Sequence, residues 1–161
     1  MKRLLALLLL FTLAQAQETP ETAVQSFFAA LAQANPEAAN YLADPNQAQE
    51  LRQALANPVG KLLYQGFRLE STKLISGESL RVEVQLTTPD LATAISLEEG
   101  RSPGFSDQVQ KALRGQLDQE QTGSVVQTLS QAIQEVPRLE RRQTLVMVHS
   151  GEAWQIQNFR P

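Results

Sequence analysis

The chain has 161 residues, with 17 acidic against 14 basic side chains and a formal net charge of −3. That length fits one domain, and the mildly acidic balance lacks the basic footprint of a nucleic-acid binder. Cysteine is absent, which excludes disulfides, a thiolate nucleophile, cysteine-ligated zinc and iron–sulfur clusters.

Residues 1–16 read as a secretory signal peptide. Lys2 and Arg3 supply the positive start, residues 4–13 are apolar apart from Thr12, and Ala14-Gln15-Ala16 offers the small-x-small cleavage pattern. As a helix, a run of that length spans about 15 Å, half of the roughly 30 Å hydrocarbon core. A buried N-terminal helix or a permanent anchor is the competing reading. Bacterial lipidation needs a cysteine just after the apolar run and is not expected here. The expected product is residues 17–161, a single domain without a membrane span, secreted or periplasmic after cleavage near Ala16, and not a lipoprotein.

Three cap-plus-proline signals follow. Thr19-Pro20 predicts a helix with Val24, Phe27, Phe28 and Leu31 on one face. Asn35-Pro36 predicts a short helix through Leu42, and Asp44-Pro45 another to about Ala56, stopped by Asn57-Pro58. The period then changes to two. Residues 67–75 predict a strand with a bulge near Glu70 and Ser71, because the apolar parity slips there. Ser76-Gly77 predicts a tight turn. Leu80, Val82, Val84 and Leu86 alternate with polar residues and predict a strand with one buried face.

Thr88-Pro89 reads as a fourth cap, for a helix over 89–98. Ser106 is expected to cap the next helix, with Val109, Leu113 and Leu117 in its stripe. Gly123 is expected to separate it from a last helix bearing Val125, Leu129 and Ile133, ended by Pro137. Those two helices are expected to pack stripe to stripe. Strands over 141–149 and 153–159, joined at Ser150-Gly151, close the chain. Helices segregated from antiparallel hairpins argue α+β: N-terminal helices on a curved antiparallel sheet, with a largely helical insertion at 88–137 before the last hairpin.

This order resembles the nuclear transport factor 2-like superfamily, and most of all its exported bacterial members of unknown function. The residues that carry the likeness are the opening TAVQSFFAAL at 22–31, NPEAANYL at 35–42, the strand 80–86 with Thr88-Pro89-Asp90, and GEAWQI at 151–156. The resemblance implies a bent sheet and helices forming a cone around a pocket. The helical insertion departs from the minimal pattern and puts an inherited pocket in question.

Few residues carry chemistry. His149 is the one histidine. As a general base it needs a proton partner within about 3 Å, and no neighbour in sequence supplies one. Tyr41 and Tyr64 can offer pocket hydroxyls or sit at the core edge. Arg138, Arg141 and Arg142 form the densest basic cluster, and on a strand Arg141 points opposite to the other two. Asp90 reads as a helix-start acid, and Trp154 as a core side chain. No GxSxG, HExxH, EF-hand or phosphate-loop pattern occurs. No metal or cofactor is expected. The reading is an exported, non-enzymatic module that binds a small ligand or an unidentified envelope protein, with a homodimer left open. The alternative is a small-molecule isomerase, dehydratase or hydrolase using His149 and a carboxylate inside the cone.

Overall fold

The structure, a computed structural model, describes residues 18–151 and 153–161. The signal-like stretch at 1–16 lies outside them. The chain runs through α1 (Pro20–Ala32), a 3-10 helix (Pro36–Tyr41), α2 (Pro45–Ala56), α3 (Pro58–Gln65), β1 (Arg68–Ile75), β2 (Arg81–Pro89), α4 (Leu91–Arg101), α5 (Phe105–Leu113), α6 (Gln119–Glu135), β3 (Arg138–Ser150) and β4 (Ala153–Ile156). The fold class is α+β. The four strands pair in sequence order, all antiparallel.

The three cap-plus-proline starts form as read. Thr19 Oγ1, Asn35 Oδ1 and Asp44 Oδ1 each accept from a backbone N–H in the first turn, at 3.2, 2.9 and 2.8 Å. The bulge is present too, with the β1–β2 register shifting between Leu69 and Ser71.

One helix was not foreseen. Asn57-Pro58 stops α2 but also starts α3. Asn57 Oδ1 accepts from Val59 N and Gly60 N at 2.9 and 3.2 Å, while its Nδ2 donates to Ala112 O at 2.8 Å. The junction is tight: a Cβ at Gly60 would lie 2.0 Å from the Ala54 carbonyl oxygen.

The helices after β2 begin at different residues from those expected. Pro89 is the end of β2, paired with Arg138, a place where a missing N–H is tolerated. Asp90 is the N-cap of α4 and accepts from Thr93 N at 3.0 Å and Thr93 Oγ1 at 2.7 Å. Ser106 is not a cap: the N-cap of α5 is Gly104, with φ of 93°. The Glu99 carboxylate reaches across from α4 to accept from Gly104 N (2.8 Å) and Ser106 N (2.7 Å). Gly123 does not separate two helices but lies inside α6, which starts at a capping box formed by Asp118 and Gln121.

Two cores result. In the first, α1 lies on one face of the sheet, and the buried face of α2 joins the same core beside the 3-10 helix and α3. Val24, Phe27 and Leu31 meet Val82, Val84, Leu145 and Ile156, all fully buried. Phe27 and Phe159 pack edge to face with centroids 4.9 Å apart. Trp154 only borders this core and is half-buried, and Leu80 precedes β2 and is likewise half-buried. The second core gathers Val59 of α3, Ala94 of α4, Phe105 and Val109 of α5, and Val125 and Leu129 of α6. The predicted α5–α6 contact exists, but within a four-helix cluster. The Arg101 guanidinium clamps it on one side, pairing with Glu98 and with Glu135, each at 2.7 Å. Because Pro89 pairs with Arg138, the whole of 90–137 occupies the place of a hairpin turn between adjacent strands.

Candidate functional site

Cross-strand neighbours in a sheet share a face. Arg141 pairs with Leu86, and Leu139 pairs with Thr88, so both project to the helix-covered face. Beyond Leu145 the apolar row on β3 runs out, and that face becomes the wall of a cleft of about 380 Å³. Its opposite wall is α3, through Leu63 and Tyr64, with Phe67 just beyond. Pro89 and Leu91 close the end where the sheet hands over to α4. Leu113 and Leu139 stand at the cleft with 43% and 45% of their surface exposed, so both offer apolar surface to it.

Two of the residues picked from sequence therefore converge. Tyr64 and Arg141 line this cleft together. Tyr64 stacks on Phe67 at 5.7 Å, and its hydroxyl pKa is pushed upward by burial and by the negative charge of Glu50. The phenol thus stays protonated and able to donate. Among the described residues, Arg141 has neither an ion pair nor a side-chain hydrogen bond, although Arg138 three positions earlier has three.

A second cleft, of about 400 Å³, adjoins the first at Ala54, Tyr64 and Pro161. Gln47 and Glu50 line it from α2, and Gln47 Oε1 is buried there without a hydrogen-bond partner. Tyr41 lies elsewhere, in a third cleft of about 440 Å³ shared with Trp154. His149 lies on neither of the first two. It is exposed near the end of β3, with its ring edge-on to Trp154 at 4.8 Å. Of the four candidates, Tyr64 and Arg141 share one cleft, while Tyr41 and His149 each lie beside Trp154, the first in the third cleft and the second outside it.

The apolar walls escaped the sequence reading. The helical periodicity places Leu113 in a buried stripe, whereas the structure leaves it exposed. Leu139 sits among charges and carried no apolar pattern, although its parity with Arg141 already placed the two on one face. Among the described residues, no group of three or more His, Asp or Glu side chains is placed to hold a metal ion. None of their helices is long and apolar enough to cross a membrane. No family model, curated protein or solved structure matches the chain.

Proposed function

We propose that this protein is an exported, non-enzymatic binding module of the cell envelope whose ligand site is the cleft between α3 and β3. The observation that carries the reading is the meeting of Tyr64 and Arg141 in an apolar-walled space of about 380 Å³, a size within the usual range for small-ligand sites. A guanidinium stays charged at any physiological pH, and Tyr64 is held in its protonated form. Such a pair anchors a ligand and does not shuttle protons near neutrality. The run from Lys2 to Ala16 supports export. The order of helices, sheet, helical insertion and closing hairpin supports kinship with the nuclear transport factor 2-like cone, with the insertion walling one end of the cleft through Leu91 and Leu113.

The test uses the exported chain recovered from the envelope fraction. Its N-terminus is expected at or near Gln17; intact precursor in that fraction counts against export. The neutral dye Nile red is expected to brighten on binding, and Leu139→Glu, which puts a charge at the cleft, is expected to abolish the rise without lowering the urea midpoint. Brightening that Leu139→Glu leaves intact places the dye elsewhere and overturns the assignment of the cleft.

A further inference from the structure

The cleft sets one solvent-exposed cation, Arg141, beside apolar walls, and that combination points to its ligand. Its walls are almost entirely apolar, supplied by Leu63, Phe67, Pro89, Leu91, Leu113 and Leu139, yet Arg141 projects among them as a cation with no acidic partner among the described residues. Among the described residues Arg68 and Arg142 of this sheet also lack a side-chain partner, but neither lines the cleft, and two further arginines are engaged elsewhere. Arg138 donates to Thr87 O, Thr87 Oγ1 and Gly66 O, and Arg81 donates to Ser79 Oγ. On β2, the residue opposite Arg141 is Leu86, which offers no charge and is itself buried.

From this we infer that the natural ligand is a single-chain amphiphile with one carboxylate head, its chain lying along the leucines and its head paired with Arg141. The inference rests on the cleft being the ligand site. Its chemistry follows from complementarity. A planar guanidinium matches a carboxylate with two parallel N–H···O bonds. A neutral head forgoes the charge-assisted pair and leaves the exposed guanidinium to water, and an ammonium head adds repulsion. One guanidinium balances one negative charge, which suits a carboxylate better than a doubly charged phosphate. Tyr64, protonated for the reasons given above, is a neutral donor in the same cleft. The cleft, open to solvent with a volume of about 380 Å³, fits one medium-length chain and does not require a bilayer.

The experiment displaces Nile red with three amphiphiles of equal chain length: decanoate, decanol and decylamine. The expected order is decanoate first, on the order of tenfold ahead of decanol, from one charge-assisted pair, with decylamine last. Arg141→Gln is expected to bring decanoate down to the level of decanol and to leave decanol unchanged. Arg141→Lys is expected to keep part of the preference, as a point charge without the fork. Arg160→Gln, on the adjoining cleft, is expected to change nothing. Equal displacement by decanoate and decanol overturns the carboxylate inference and leaves the binding reading standing. A preference that survives Arg141→Gln overturns it as well. Failure of all three to displace the dye overturns both. Arg141-dependent binding to phosphatidylglycerol vesicles without any binding of decanoate replaces the free ligand with a lipid surface.

Discussion

The guanidinium of Arg138 donates to the carbonyl oxygen of Thr87 at 2.9 Å, at the point where β3 first meets the end of β2. The same Nη2 donates to Gly66 O at the end of α3, and Nε to Thr87 Oγ1 at 3.2 Å. Burial and the nearby charge of Arg68 lower its pKa, and Glu70 opposes the shift. One side chain thus ties three places together: the exit of α3, the last turn of β2 and the start of β3. Replacement by leucine removes the fork and leaves the Gly66 and Thr87 carbonyls short of a donor. The expected cost is about 2 kcal/mol, read as a lower urea midpoint. An unchanged midpoint would show that water replaces the guanidinium at no cost.

Two glycines are expected to respond with opposite sign to the same change. Gly60→Ala places a methyl 2.0 Å from the Ala54 carbonyl oxygen, and backbone cannot swing aside as a side-chain tip can. The α2–α3 junction must open, at roughly 2–3 kcal/mol. Gly123→Ala meets nothing within 4 Å inside α6. There the substitution stabilises by roughly 0.5–1 kcal/mol, because alanine surrenders less backbone entropy in a helix. Thermal unfolding of both variants checks the pair. A stable Gly60→Ala protein would mean that the junction is loose.

Acid is expected to loosen the helical insertion. The pKa of Asp90 is lowered from 3.8, chiefly by the Thr93 N–H and then by the Thr93 hydroxyl. That of Glu99 is lowered from 4.5 by the N–H groups of Ser106 and Gly104, and that of Glu135 from 4.5 by hydrogen bonds from Arg101. A folded pKa below the unfolded one means that the unfolded chain binds protons first. The stabilisation is complete above the unfolded values and is lost as pH falls below about 4.5 through the folded ones. Stability measured from pH 6 down to pH 3 is expected to decline, and Glu99→Gln to flatten part of the slope. A Glu99→Gln protein with the wild-type slope would remove this carboxylate from the account.

Trp154→Ala is expected to cost about 2 kcal/mol, below the range for a fully buried tryptophan, since the indole is half-buried and packs edge-on with the exposed His149. Unfolding in urea measures it. A loss as large as that of a core aromatic would mean that the indole fills the core after all.

Where local chemistry decides structure, the chain could be read directly. Thr19-Pro20, Asn35-Pro36 and Asp44-Pro45 each place a side-chain acceptor over a free N–H, and the helices start there. The slipped parity at Leu69 and Ser71 announced its bulge. The same rule misled at Thr88-Pro89. The strand partner Arg138 holds Pro89 in the sheet, and Asp90 one step later is the better acceptor. Ser106 lost its role to Glu99, whose carboxylate arrives from another helix, an arrangement invisible to a local pattern. Gly123 looked like a break, yet Asp118 and Gln121 set the start of α6 ahead of it. In the cleft, Tyr64 and Arg141 were legible as residue types. Their meeting was not, because it depends on α3, which the stop signal of Asn57-Pro58 concealed.

The pairing of Pro89 with Arg138 has a kinetic consequence. A hairpin closes by bringing near neighbours together, but β2 and β3 must find each other across residues 90–137. Relative to a two-residue turn, an unstructured loop of that length adds about 3 kcal/mol of closure entropy. If α4, α5 and α6 condense first around Leu129 and Val109, the two ends are already held side by side, and the sheet closes as though the loop were short. The helical cluster then acts as a template for the strands. Leu129→Ala, far from the sheet, is expected to slow refolding of the whole chain in stopped-flow measurements more than it hastens unfolding, as a nucleus in the insertion requires; the reverse outcome would put the nucleus elsewhere.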